Sequence, residues 1–415
     1  MIQHVCIDEI RFEEVNLVNP ITNIPQSRKN GGKKMKRSLS ILLVMVMMLA
    51  LLAGCTSGEA TTAAPAATTA AATTAAGETT AAAADKVTIG VSVGTLAQER
   101  WQREIEMFKE YAASNNIELI VQSAEDDPQK QISQCENMIT QGVDALIVQA
   151  LDSAAAGAIC EPAKAADIPV VSYDRLVMNG DLDYYITFDT VKVGKTQAEF
   201  VVNKVNKGNF IWMLGDPNDF NTTLLEQGQT QVLQPLIDSG DIKIILKQNA
   251  KNWDPNEALK IAENGLTLAN NDIQGYVASN DGTAGGAIQA LTAQGLAGKV
   301  AIAGQDADLA ACQRIVEGTQ TGTVYKPLKK LNMAAIQLAA ALAQGKRGQD
   351  AMNAVDSSLG VWSQQNNGFK DVDAFQVDVV AVDKDNMVKE IIKDGFHTLE
   401  DVYKNVPKDQ WPSVN

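Results

Sequence analysis

Short β-branched or apolar runs, each followed by a longer stretch of helical pattern, constrain this chain more than any other feature. VTIGVSV at 87, IELIVQS at 117, DALIVQA at 144 and IPVVSYD at 168 form one series. After Asp189 the rhythm resumes with NFIWMLG at 209, DIKIILK at 241, IQGYVAS at 273 and KVAIAGQ at 299. Near-continuous apolar runs suit strands buried on both faces, and the intervening helices supply the cover. The pattern predicts an α/β fold of two doubly wound parallel-sheet lobes. A length of 415 residues accommodates this with room for further segments.

A different kind of sequence precedes residue 86. From Met35 the chain reads MKRSLSILLVMVMMLALLAGC, a basic start at Lys36 and Arg37 followed by an apolar run from Leu39 to Leu52. That run is short for a membrane span and suits the core of a signal peptide. Leu52-Ala53-Gly54-Cys55 resembles the lipobox of bacterial lipoproteins, in which the cysteine thiol is acylated. A signal peptide that merely contains a cysteine is the alternative. Residues 1–34 lack a periodic pattern and read as a mis-called N-terminal extension, with 35–54 as the signal peptide. Residues 55–85 are mostly Ala and Thr and read as a lipid-anchored stalk, or otherwise as an Ala-rich helix. The expected location is outside the cytoplasm, tethered to the outer face of the cytoplasmic membrane.

Composition excludes several function classes. The formal charge is −15, and the basic leader makes the remainder more acidic still, which argues against nucleic acid as a partner. Of two histidines, His4 lies in the leader and His397 near the far end, so no Ser-His-Asp triad or His-based metal cluster can be assembled. His397 reads as structural. Cys135, Cys160 and Cys312 show no CxxC spacing, three leave at least one unpaired, and the sequence assigns no disulfide. Gly282-Thr283-Ala284-Gly285-Gly286 does not match the dinucleotide-binding glycine pattern. No cofactor is expected.

In doubly wound sheets ligands bind beyond the carboxyl ends of the strands. The loops there carry Arg100-Trp101, Tyr173-Asp174-Arg175, Asp219-Phe220-Asn221, Trp253, Asn280-Asp281, Gln305-Asp306 and Lys326. A pyranose has a rim of hydroxyls and two C–H faces. Carboxylates accept from hydroxyls, Arg and Lys donate, Asn does both, and Trp covers the apolar face. Other roles stay open for several of these residues. Asn280-Asp281 and Asp306 precede predicted helices and could be N-caps, Trp101 and Trp253 could be core or surface aromatics, and Arg175 could be a solvated charge.

The stretch VASNDGTAGGAIQALTAQGLAGKVAIAGQDADLA from Val277, with GTQTGTVYKPL from Gly318, resembles the xylose-binding family of periplasmic sugar-binding proteins that serve bacterial ABC transporters. ERWQ at 99, QCENMITQGVDALIV at 134, YDR at 173, ALKIAEN at 258 and KDGFH at 393 extend the likeness over most of residues 86–400. The resemblance implies a type I periplasmic-binding-protein fold with a three-segment hinge, a monomer that performs no catalysis, a small sugar as ligand and an ABC permease as partner. Its lobes would comprise residues 86–190 with about 327–376, and 191–326 with about 377–415. It implies sugar contacts by Arg100, Trp101, Asp174 and Arg175 from the first lobe, and by Asp219, Asn221, Trp253, Asn280 and Asp306 from the second. Lys326 would sit at a crossing segment. Phe220, and Gly94-Thr95 in the first loop, depart from the family pattern. Xylose is the first-ranked sugar, with glucose, galactose and arabinose as alternatives. A sugar-responsive transcriptional regulator would need a basic DNA-binding module where the signal and stalk stand. A glycosidase would need paired carboxylates drawn from Asp174, Asp219, Asp281 and Asp306.

Overall fold

The computed structural model describes residues 86–414. The expected extension, signal peptide, Cys55 and stalk lie outside the described residues. The first sheet contains β1 (Val87–Val93), β2 (Ile117–Ser123), β3 (Ala145–Gln149), β4 (Val170–Tyr173) and β5 (Tyr184–Phe188), together with β11 (Val361–Asn366) and β12 (Asp371–Val377), in the order β11-β12-β5-β4-β3-β1-β2. The second contains β6 (Gly208–Leu214), β7 (Ile242–Asn249), β8 (Gly275–Val277), β9 (Ala301–Gln305), β10 (Gly322–Tyr325) and β13 (Val380–Val382), in the order β13-β10-β9-β8-β6-β7.

Alternation along these strands sends side chains to two separate cores. Ile89, Val91 and Ile147 face α1 (Glu99–Ser114) and α9 (Leu328–Ala343). Leu146 and Val148 face α2 (Pro128–Thr140) and α3 (Cys160–Ala165). In the second sheet Ile211, Tyr276 and Ile302 pack under α6 (Pro255–Leu268) and α7 (Asp281–Ala293). Phe210, Trp212 and Val277 pack under α4 (Thr190–Lys204) and α5 (Phe220–Asp238). Helices α4 and α5 meet closely, since a Cβ on Gly228 would stand 1.9 Å from the Val191 carbonyl oxygen. The segment after β13 returns Met387, Ile391, Val402 and Tyr403 to Cys312 and Ile315 of α8 (Leu309–Glu317).

The eight expected strand runs all form strands, but the sheets are mixed rather than wholly parallel. The β11/β12 hairpin and the β10/β13 pair are antiparallel. Both additions come from short or polar segments: β13 has three residues, and β11 reads VWSQQN. Such edge strands owe their state to a neighbour's open hydrogen bonds rather than to an apolar pattern of their own.

The chain crosses between the sheets three times. It passes from β5 to α4 at Asp189, from β10 to α9 at Lys326-Pro327, and from β12 to β13 at Asp378-Val379. Two crossings touch, with the Asp189 amide donating to the Val377 carbonyl at 3.3 Å.

Cys135, Cys160 and Cys312 are free and buried. Burial pushes the Cys135 thiol up to about 11 and the Cys160 thiol up to about 12. The thiolate is the reactive form. These thiols should therefore resist a disulfide reagent at pH 8 in the native protein and react fully in guanidinium chloride. Rapid native labelling of any of the three would show that its packing is looser than described.

Candidate functional site

Asp174, Trp253 and Asp306, three of the ten residues expected in the site, have left-handed backbones, with φ of 59°, 55° and 98°. Such conformations cost a non-glycine residue of order 1–3 kcal/mol and persist only where the surroundings enforce them. At Asp174, Tyr185 Oη and Thr187 Oγ1 both donate to its carbonyl. At Asp306, the amide donates to the Val324 carbonyl at 2.9 Å. His397 Nε2 donates to the carbonyl of the next residue, Ala307, at 2.8 Å. His397 is thus structural in a specific way: it braces the turn that presents Asp306. Trp253 ends a short 3-10 turn, Lys251–Trp253, after β7. Its ring lies against Gly215, where a Cβ would stand 2.1 Å from a ring carbon.

All ten residues line one narrow cavity between the carboxyl ends of the two sheets. Arg100 and Trp101 open α1, and Asp174 and Arg175 follow β4. Asp219 caps α5, Asn221 lies in its first turn, and Asn280 caps α7. Asp306 follows β9, and Lys326 stands at the second crossing.

Charges from the two sheets meet across the cavity. Arg100 Nη1 reaches Asp306 Oδ1 at 3.2 Å, and its Nη2 reaches Asp174 Oδ2 at 2.9 Å. Arg175 Nε reaches Asp219 Oδ2 at 2.7 Å, which excludes the solvated-charge alternative for Arg175. Lys326 Nζ lies 3.4 Å from Asp306 Oδ1. Burial opposes the Arg100 charge, yet Asp174, Glu104 and Asp306 outweigh it and hold its pKa well above the usual value. Burial likewise works against ionised Asp174, but Arg100, Lys326 and Arg175 keep its pKa below the ordinary carboxylate range. For Asp219 burial prevails over Arg175 and the pKa rises. The lining holds three cations and three carboxylates, a balance that suits a neutral ligand.

The two indoles have different settings. Trp101 is buried and carries the Arg100 guanidinium 4.1 Å from its ring centroid. Its Nε1 has no acceptor among the described residues. Trp253 Nε1 donates to Asp219 Oδ2 at 3.2 Å. Asn280 is both an N-cap and a lining residue. Its Oδ1 accepts from the Thr283 amide at 2.8 Å, and because an N–H can only donate, the amide NH2 is the end left for the cavity. Asp306 caps nothing, since the N-cap of α8 is Asp308.

Gln98, Thr190 and Glu104 escaped the sequence reading, and Gln305 was named in it as a loop residue but not as a sugar contact. Gln98, Thr190 and Gln305 also line the cavity. Glu104 stands behind Arg100 and accepts from its Nε at 2.9 Å and its Nη2 at 2.7 Å. Tyr173 Oη also donates to Glu104. The spacing of Arg100 and Glu104 on one helix was a readable signal for that pair. The two departures from the family pattern fall outside the cavity. Phe220 packs on the apolar cluster around Val177, and Thr95 lies at the cleft mouth, where its hydroxyl donates to Asp126 at 3.3 Å.

Residues 89–347 match the model of the periplasmic binding protein domain. The chain is 47% identical to the D-xylose-binding periplasmic protein of Haemophilus influenzae over 315 residues, covering 76% of this chain and 92% of the relative. It is 45% identical to the D-xylose-binding periplasmic protein of Escherichia coli over 314 residues, with the same coverage of 76% and 92%. The crystal structure of a carbohydrate transporter solute-binding protein from Chloroflexus aurantiacus, in complex with D-glucose, superposes with a TM-score of 0.68 at 30% identity and covers 75% of this chain and 97% of its own. By sequence and by fold, the chain belongs to the periplasmic binding protein family.

Proposed function

We propose that this protein is an extracytoplasmic solute-binding lipoprotein that captures an aldopyranose, D-xylose first, by hinge closure and delivers it to an ABC permease. The observation that carries the reading is the charge-balanced cavity. Three cations and three carboxylates, flanked by two indoles, offer donors and acceptors to a ring of hydroxyls and flat apolar surfaces to its C–H faces. The two D-xylose-binding relatives rank xylose first. The D-glucose held by the Chloroflexus protein keeps a hexose as the second reading.

In this mechanism residues 86–190 with about 327–376 move as one lobe, and 191–326 with about 377–415 as the other. Three short crossings leave the lobes free to part. A sugar that touches Arg100, Trp101, Asp174 and Arg175 on one side, and Asp219, Asn221, Trp253, Asn280 and Asp306 on the other, stabilises the closed arrangement by its differential contacts. Lys326 acts from the crossing itself. Asp174, held below the ordinary carboxylate range by Arg100, Lys326 and Arg175, is set to accept hydrogen bonds rather than to donate a proton to a glycosidic oxygen. Presentation of the closed form to a chemosensory receptor would use the same binding step.

Among the described residues no helix is long and apolar enough to cross a membrane. The Leu52-Ala53-Gly54-Cys55 motif supports attachment at Cys55, through acylation. Replacing Cys55 by Ala should move the protein from the membrane fraction to the soluble one. Unchanged fractionation, with no acyl mass on Cys55 in the wild type, would remove the anchor.

Calorimetric titration with D-xylose, D-glucose, D-galactose and L-arabinose tests the ligand, with D-xylose expected to bind most tightly. No heat with any of them would overturn the sugar reading. Asp306→Ala leaves Arg100 and Lys326 short of a shared partner and should cost about 2 to 5 kcal/mol of binding. Unchanged affinity in that variant would remove Asp306 from the site.

A further inference from the structure

Three buried side-chain polar atoms lack a hydrogen-bond partner among the described residues: Trp101 Nε1, Gln134 Oε1 and Gln305 Oε1. The first and third belong to residues that line the cavity. Trp101 is already placed in the site, whereas nothing so far gives Gln305 a role. Burying an acceptor without a donor costs about 1–3 kcal/mol, so the orphan oxygen calls for an explanation.

The orientation of the Gln305 amide follows from chemistry. Its Nε2 donates to the Ser279 carbonyl at 2.8 Å, and a carbonyl can only accept. The amide cannot be reversed, because that would set two oxygens against each other. The same carbonyl accepts from Gln197 Nε2 at 2.9 Å. Gln197 Oε1 in turn accepts from Gln229 Nε2 at 2.9 Å, and Gln229 Oε1 accepts from Trp212 Nε1 at 2.6 Å. An indole N–H has one possible role, so the chain of amides is oriented from Trp212 to Ser279. All of its members are buried. The wall behind Gln305 is therefore rigid and polar, and it leaves Oε1 as the one group it does not satisfy.

Each of the three cavity carboxylates already has a cation. Asp174 takes Arg100, Asp219 takes Arg175 and Trp253, and Asp306 takes Arg100 and Lys326. We infer that Gln305 is a further specificity-determining residue, whose Oε1 accepts the proton of one particular hydroxyl of the bound sugar. This rests on the sugar-binding reading above and adds to it a neutral acceptor of fixed position. A charged acceptor can be matched by several donors, but an amide oxygen held from behind serves a hydroxyl at one point. It thus discriminates among sugars by where a hydroxyl stands.

The test is a cycle of variant against ligand, run by calorimetry on the full protein with D-xylose and its four monodeoxy analogues. Gln305→Met keeps side-chain length and removes the acceptor, and should weaken D-xylose binding by roughly ten- to a hundredfold. One analogue, lacking the hydroxyl that Gln305 accepts, should bind wild type and variant alike, while the other three weaken as D-xylose does. Gln305→Glu serves as the second variant. Burial favours its neutral acid, whose O–H replaces the N–H toward Ser279 while the other oxygen accepts from the sugar, so affinity should recover at least in part below pH 6. Gln305→Met binding D-xylose as the wild type does, or weakening all analogues by one common factor, would overturn the inference, as would a Glu variant no better than Met where Met fails to fold. Wild-type protein that binds none of the sugars would instead bring down the sugar reading itself.

Discussion

Arg100 can be buried only because three carboxylates reach it from three different parts of the chain. Glu104 comes from its own helix, Asp174 from the turn after β4 and Asp306 from the turn after β9 in the other sheet. A guanidinium taken out of water without partners would be prohibitive, and one with partners on a single lobe would bind the lobes together no more than water does. Asp306 is the partner that lies across the cleft, and it is shared with Lys326 at a crossing segment. The Arg100–Asp306 and Arg175–Asp219 pairs thus join the carboxyl ends of the two sheets. Their placement there gives little net stability, since buried pairs roughly return what desolvation takes. It does give registry, because one relative position of the two sheets satisfies all of them.

Holding these groups in place requires strained backbone, and the strain is braced from outside the cavity. Asp306 and Ala307 take left-handed conformations beneath a hydrogen bond from His397, a residue far along the chain. Thr323 adds a second brace, accepting from the Ala307 amide at 3.3 Å. Trp253 is braced differently, by the absence of a side chain at Gly215 beneath its ring. In each case a rigid sheet edge supplies the support and a short turn supplies the aim. The result is a wall of fixed donors and acceptors, which suits recognition by hydroxyl position more than by bulk.

The parts of the fold legible in the sequence were those with strong local signals. Eight apolar runs marked eight strands, and the spacing between them marked parallel sheets covered by helices. Strand β5, with its YYITF run, carried the aromatic and β-branched signature and was also readable. Strands β10, β11 and β13 were not, because three or four residues, or a polar run such as VWSQQN, become strands only where a sheet edge offers hydrogen bonds. The site was legible as a set of residue types at strand ends and as a family pattern. Its alternatives could not be separated at that level. Asn280 caps a helix and lines the cavity at once, whereas Asp306 caps nothing, and no local pattern distinguishes the two.

The sequence by itself determined the architecture and named the ten residues that the structure brings to one cavity. These depend on periodicity, composition and short motifs, which are properties of neighbouring residues. Only the tertiary structure decided which charge meets which. It paired Arg100 with Asp306 and Arg175 with Asp219, placed Glu104 behind the first arginine, and gave the Gln305 nitrogen to Ser279, leaving its oxygen without a partner among the described residues. Those facts turn on distances of about 3 Å between residues up to two hundred positions apart, and on the direction in which an amide can donate.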